Sequence, residues 1–530
     1  MKALPALCLC LLFVCSVACA AGERPNILWI TSEDNSPFLG SYGDPHARTP
    51  HLDALARDGI RYTRCFANAP VCAPARNSWI FGVPAATLGT LNMRSGYRVP
   101  RDAFKTYPEL LRQAGYYVTN NRKTDYNTAS IDPAAVWHES SNTAHYRNAP
   151  EGMPFFAVFN LTLTHESRVF PSRRPAQTRF ADAEIDLPPY QYPSPEAVLD
   201  WRMYYEWIAR LDEHVGEILD ELEASGKAED TIVVYCSDHG GALLRSKRWL
   251  YDSGTRVPLI VSFPERWQHL APAAPGTVSD RLVQFIDMPK TWLRLAGVEP
   301  PPTMPGRVFL GEASEPAPAV VSLFGGRFDE APGNSRAVTD GRWKYIRNFE
   351  PDRPRFQMLA FPLRQEGQRA QLEAYRAGRT NARQSAFYEN QPPEELYDTL
   401  NDPHEVNNLV AVEPERLTVM RAALREEILV SRDLGLMPEP LIERVDQAGG
   451  VTVFEYARFE ANYPLERVLD TALMASDQRA ENLDHLVAAL GDANACVRYW
   501  AALGLRVLGA QAAGAEPALE AALSDPTPSV

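Results

Sequence analysis

The sequence has no cationic excess: 53 Lys and Arg against 67 Asp and Glu leave a formal net charge of −14. Nucleic acid is excluded as a partner on that ground, because binding a phosphate backbone needs clustered Lys and Arg. A broad groove for a long polyanion is disfavoured for the same reason, while a local cationic pocket is not. Cysteine is scarce too. Of the eight, Cys8, Cys10, Cys15 and Cys19 fall in the first twenty residues, leaving Cys65, Cys72, Cys236 and Cys496. Four scattered cysteines do not make a disulfide framework, and without a CxxC pair they do not suggest zinc. Long apolar runs are missing as well: the stretch from Leu4 to about Val17 is shorter than the ~20 residues that a comfortable membrane span needs.

That stretch has another meaning. Lys2 precedes it, Ala18 and Ala20 follow it, and a polar segment Gly22-Glu23-Arg24-Pro25 comes next. The order of charge, apolar core and small residues is that of a signal peptide over residues 1–20, which implies a secreted or periplasmic protein. Lipidation at Cys19 ranks second, because Ser16 stands where an apolar residue is usual.

The next three hundred residues alternate strands with helices. Asn26 to Thr31 is a short apolar run with β-branched residues that ends in Glu33-Asp34, and it reads as a buried strand. Thr49 caps a helix with Pro50 in its first position. Tyr107 to Ala114 reads as a helix, Tyr116 to Thr119 and Phe155 to Leu163 as strands, and Trp201 to Ala224 as a long amphipathic helix. Thr231 to Tyr235 is a further strand, followed by Ser237-Asp238-His239-Gly240. Such alternation predicts an α/β domain over residues 21–310, with a mostly parallel sheet sandwiched by helices. Ligands of such sheets sit beyond the carboxyl ends of the strands, where Glu33, Asp34, Lys123, His165, Asp238 and His239 fall.

From about Gly311 the pieces shorten. Ala319 to Leu323 and Trp343 to Ile346 look like strands, and helical stretches follow near 365–379 and 414–437. This predicts a smaller α+β subdomain over residues 311–440. The last segment, 475–530, is rich in Ala and Leu. Ala489-Leu490-Gly491-Asp492 is echoed 33 residues on by Ala522-Leu523-Ser524-Asp525. The echo resembles a HEAT-like helical repeat, whose units bury their faces against neighbours. It carries the expectation of a protein partner for this tail and of a longer gene product.

The sharpest local signal is Cys72-Ala73-Pro74-Ala75-Arg76. With it come Arg24-Pro25-Asn26-Ile27-Leu28, Thr49-Pro50-His51-Leu52-Asp53, Ser237-Asp238-His239-Gly240-Gly241, Leu250-Tyr251-Asp252-Ser253-Gly254 and Glu395-Leu396-Tyr397-Asp398. In that order these blocks resemble the sulfatase family from about Pro25 to about Leu409. Their wording is most similar to the heparan N-sulfatase-like branch. The resemblance implies an alkaline-phosphatase-like core and hydrolysis of a sulfate ester or sulfamate, with a sulfated saccharide as substrate.

It also implies a nucleophile. A formylglycine-generating enzyme would oxidise Cys72, although Ala75 replaces the serine usual there. One hydroxyl of the hydrated aldehyde would attack sulfur, and the second would expel sulfate as the aldehyde re-forms. Glu33, Asp34, Asp238 and His239 would hold a metal beside residue 72. Oxygen-rich ligation suits Ca²⁺, with Mg²⁺ as second choice because His239 adds a nitrogen. Glu33 stands where the family usually has Asp. Arg76 lies one helical turn after Cys72, so both can face one pocket. Lys123 and Lys247 match the sulfate-binding cations, and His165 matches the histidine beside the leaving group. Asp125 stands where a histidine usually assists the second step.

Two other readings remain open at this point. A phosphonate or phosphodiester hydrolase can share the motif and the fold. A catalytically silent, repeat-bearing binding protein would explain Glu33 and Asp125. Cys65, Cys236 and Cys496 read as packing residues. Asn160-Leu161-Thr162 is a formal glycosylation sequon inside an expected strand.

Overall fold

The computed structural model describes residues 23–527 and 529–530, so the expected signal peptide and Cys19 lie outside the described residues. Among the described residues, twelve strands form two sheets: β1 (Asn26–Ser32), β2 (Ile60–Phe66), β3 (Tyr117–Asn121), β4 (Glu139–Ser140), β5 (Phe155–Leu161), β6 (Thr231–Ser237), β7 (Arg256–Ser262), β8 (Val278–Gln284), β9 (Val321–Gly325), β10 (Ser335–Thr339), β11 (Trp343–Asn348) and β12 (Glu394–Asp398). The large sheet has the order β4-β3-β5-β1-β6-β7-β2-β8. Strands β4, β3, β5, β1 and β6 run parallel, and β7 opposes both β6 and β2. The expected mostly parallel sheet is therefore present.

Alternation along the central strands explains why both faces are covered. Successive side chains point to opposite faces, and parallel sheets bury both. Ile27, Trp29, Phe156, Val158, Ile232 and Val234 enter one core. Leu28, Ile30, Phe155, Ala157, Val233 and Tyr235 enter the other. On the second face lies the helix Pro195–Ala224, which presents Trp201, Tyr204, Ile208, Leu211, Val215, Ile218 and Leu222 at the three- and four-residue spacing of one helix face. It begins six residues before the expected Trp201, because Ser194 caps it through the Ala197 amide and Pro195 opens the first turn.

One expected cap is displaced. The helix Pro50–Arg57 does start at Pro50, but the Thr49 hydroxyl bonds Asp53 and the Gly40 amide. The free amides of His51 and Leu52 donate instead to Asp212, at 3.1 and 2.8 Å. A carboxylate at a helix amino terminus accepts these amides more strongly than a hydroxyl. Here it comes from the neighbouring long helix, which local sequence does not reveal.

The second sheet is antiparallel, in the order β12-β11-β10-β9. Val338, Tyr345 and Leu396 from it, Leu417 and Leu424 from the helix Pro414–Ser431, Val468 from the helix Leu465–Ser476 and Trp500 from the tail share one apolar cluster. The tail is helical, and Trp500 Nε1 donates to the Leu436 carbonyl at 2.8 Å. The helix Leu465–Ser476, which precedes the tail, and the tail helix Ala495–Leu508 pack closely at Gly504, where an added Cβ would meet Ala475 at 2.8 Å. Arg336 and Asp433 form a fully buried ion pair behind this sheet. Removing one partner strands the other charge, so Asp433→Ala is expected to cost about 3–5 kcal/mol. A denaturant titration checks this, and an unmoved midpoint would contradict it. Among the described residues, no helix is long and apolar enough to cross a membrane.

Candidate active site

Four neighbouring parallel strands, β3, β5, β1 and β6, end at one edge of the large sheet. Register brings their ends level: Thr31 pairs with Asn160 on one side and with Cys236 on the other. The residues just past these ends therefore converge. Glu33-Asp34 follows β1, Lys123 follows β3, His165-Glu166 follows β5 and Asp238-His239 follows β6. Cys72 opens the helix Cys72–Phe81 and is buried beside them.

Asp34 is the hub. Its backbone is left-handed, with φ of 46°, and its amide donates to Asp238 Oδ1 at 3.1 Å. Its carboxylate accepts from Lys247 Nζ at 3.0 Å and from the Glu166 amide at 2.7 Å, and His239 Nε2 lies 2.9 Å away. Burial opposes ionisation, yet Lys247, His239 and His165 hold the Asp34 carboxyl well below the usual range. Asp238 is held down in the same way against burial, by His239, Arg76 and Lys123. Arg76 Nε donates to Asp238 Oδ2 at 3.1 Å, and Nη1 donates to Asn160 Oδ1 at 2.6 Å.

The chemistry of Cys72 as a plain thiol is poor. Burial pushes its pKa well up and nearby Asp238 and Asp34 add to this, while Lys247 opposes it. A thiol held protonated is a weak nucleophile.

Metal fit can be tested on His239. Its Nδ1 lies 2.9 Å from the Gly240 carbonyl, so an imidazolium turns its second N–H toward the two carboxylates, and a cation that displaced that proton would meet a lone pair on Nε2. That buried Nε2 has no hydrogen-bond partner, and it faces Asp34 Oδ1 and Asp238 Oδ1 at 2.9 and 3.6 Å. Three electron-rich atoms turned together are what a divalent cation satisfies. Donor atoms of Cys72, Asp238 and His239 lie within 4.8 Å of one another, as do those of Asp34, Cys72 and His165. Glu33 belongs to neither group; its carboxylate is buried against Lys123 Nζ.

Lys123 and Lys247 face the same cavity of about 470 Å³, together with Cys72, Asp125 and His165. Burial pulls the Lys123 ammonium below its usual range, while Lys247 is driven up, against burial, by Asp34. The Asp125 carboxylate lies 3.7 Å from Lys123 Nζ. His165 Nδ1 accepts from the Ser167 amide at 3.3 Å, and Nε2 lies 3.4 Å from Lys247 Nζ. Burial and then Lys247 push this imidazole down to about 4.

Several residues of the site were not legible. Glu166, adjacent to His165, is fully buried, takes both Arg248 Nη atoms at 3.0 and 2.8 Å and contacts Lys247 at 3.1 Å. Burial works against its ionisation, but Arg248 and Lys247 bring it to about 2. Asn160, part of the formal sequon, is buried and joins Arg76 to Thr31 and Asn120. A polar residue in a core strand was the available signal for it. The other sequence-level candidates, from Cys72 and Arg76 to Lys247 and His239, all lie in or beside the site.

Comparison with known proteins agrees with this arrangement. The sulfatase profile matches residues 25–298. An ulvan-active sulfatase of Formosa agariphila is 33% identical over 466 residues, spanning 79% of this chain and 77% of its own. Human N-sulphoglucosamine sulphohydrolase is 26% identical over 479 residues, with 79% and 92% covered, in keeping with an N-sulfatase-like relation. The phosphonate monoester hydrolase of Agrobacterium radiobacter shares the fold, with a TM-score of 0.53 at 20% identity over 77% of this chain and 95% of its own. That likeness carries the fold alone, whereas the profile and the first relative span the strand ends that build the site. On both grounds this chain belongs to the sulfatase family and is a sulfuric ester or sulfamate hydrolase.

Proposed function

We propose that the protein removes sulfate from a sulfated saccharide, using formylglycine made from Cys72 by a formylglycine-generating enzyme. The observation that carries this is the meeting of Cys72, Asp34, Asp238 and His239 with Lys123 and Lys247 at one sheet edge. Asp34, Asp238 and His239 would hold Ca²⁺ beside residue 72, with Mg²⁺ as second choice. Such an ion supplies positive charge that favours an ionised oxygen nearby.

The chain's own groups have distinct tasks. Lys123 and Lys247 face the cavity and bind the sulfate oxygens, where charge accumulates during transfer. Glu166 and Asp34 fix Lys247 from two sides, so the ammonium is already in place. Arg76, anchored by Asp238 and Asn160 one turn after residue 72, positions the nucleophile. His165 lies at the cavity wall; an imidazolium there, favoured once an anionic sulfate is bound, can deliver its proton to the departing oxygen or nitrogen and return to neutral imidazole. Asp125 takes the proton of the second step in place of the histidine usual there. Glu33 orients Lys123.

Matched sulfate and phosphate esters of one phenol test the reaction. Matured protein is expected to hydrolyse the sulfate at least about 100-fold faster, in keeping with its membership of the sulfatase family. A preference for the phosphate would favour the phosphonate or phosphodiester reading. The apolar stretch after Lys2, read from the sequence as a signal peptide, supports secretion or a periplasmic site. Within residues 475–530, the packing of the helices Leu483–Ala489 and Ala495–Leu508 on one another supports a HEAT-like unit, where a protein partner would bind.

A further inference from the structure

A second cavity, of about 570 Å³, adjoins the first and shares Lys123, His165, Phe361 and Arg364 with it. Its remaining wall includes Arg122, Arg168 and Arg173. Among the described residues none of these four arginines has an ion pair with a carboxylate, in a chain of net charge −14. Their neighbour Arg174 shows the contrast: it is bound to both Asp200 and Glu366. The carboxylate that the cavity lining does contain, Glu33, is taken by Lys123.

Three of the four side chains, those of Arg168, Arg173 and Arg364, are held without acids. Arg168 lies over the Trp207 ring at 5.1 Å, and Arg364 over Phe170 at 4.6 Å. Arg173 Nη1 donates only to the Ser167 hydroxyl, at 3.3 Å. Burial, followed by repulsion from Arg173 and Arg122, lowers the Arg168 pKa from its ordinary value. Like charges kept together at a cavity wall, with aromatic rings rather than carboxylates as supports, are arranged for an anion that arrives from outside.

We infer that this second cavity is a subsite for a further anionic group of the substrate, a carboxylate or a second sulfate near the one being removed. The inference rests on the proposed sulfatase reading of the adjoining site, and it narrows the substrate to saccharides carrying at least two negative groups. Phe361 stands between the cavities and lines both, which suits a sugar ring bridging them.

Calorimetry on full-length Cys72→Ala protein, which cannot turn over, reads binding directly. The probes are N-acetylglucosamine 6-sulfate, glucosamine 2-N,6-O-disulfate and a monosulfated disaccharide containing a uronic acid. At least one of the last two is expected to bind about tenfold tighter than the first. Adding Arg122→Ala and Arg173→Ala, both exposed positions that line the second cavity alone, should remove that gain and change the first probe's affinity less than about twofold. Which probe loses affinity names the anion. Equal affinity for all three probes, including no measurable binding of any, overturns the subsite, as does an equal loss for all. Turnover of 4-nitrophenyl sulfate by matured protein reports on the sulfatase reading separately.

Discussion

Cys72→Ala is expected to lose at least about 10⁴-fold in turnover of a sulfate ester while keeping its fold. Alanine fits the buried space at the first turn of the helix Cys72–Phe81, and the ion pairs around it do not use the sulfur. Circular dichroism and the thermal midpoint should stay close to wild type. Cys72→Ser separates two steps. A serine hydroxyl can accept sulfate once, but it has no second hydroxyl to expel it. The variant is expected to gain the mass of one sulfuryl group per chain and then stop. Wild-type rates in either variant would contradict the nucleophile assignment.

Asp34→Asn is expected to weaken Ca²⁺ binding by at least about 100-fold and turnover by about 10³-fold. The Asp34 side chain joins the elements of the site through Lys247, His239 and the Glu166 amide, while its backbone amide donates to Asp238. An amide has the same shape, but it brings no charge to offset Lys247 or a cation. Calorimetry on chelated and reloaded protein reads the affinity without relying on turnover. If Asp34→Asn proves too unstable to purify, Asp238→Asn tests the same acidic pair with Lys247 left in its Asp34 and Glu166 contacts. Unchanged affinity in these variants would remove the acidic pair from the metal site.

The strand ends were legible because each is a local event: an apolar run stops and acidic or basic residues follow. Glu33-Asp34, Lys123, His165 and Asp238-His239 all have that form, and the parallel sheet brings them level. Cys72 and Arg76 were legible for a similar reason, since one helical turn separates them. What escaped depends on partners far apart in the chain. Nothing near Glu166 announces that Arg248 will clamp it across 82 residues. Asp212 replaces Thr49 as a cap across 160 residues. Asn160 read as a sequon because its role lies in the strands on either side of it. Glu33 was grouped with the metal ligands by position, and the structure places its longer side chain on Lys123. The tail's helices were visible in composition, while their packing against the antiparallel sheet was not.

The central claim is that residue 72 is an aldehyde in the working protein. Trypsin releases residues 65–76 as one peptide, since Arg64 and Arg76 flank it and no Lys or Arg lies between. Its mass, from protein co-expressed with a formylglycine-generating enzyme, is expected to fall ~18 Da below that of the same peptide with unmodified cysteine. An unmodified Cys72, with a control sulfatase converted in the same cells, would contradict the account and favour a silent binding protein.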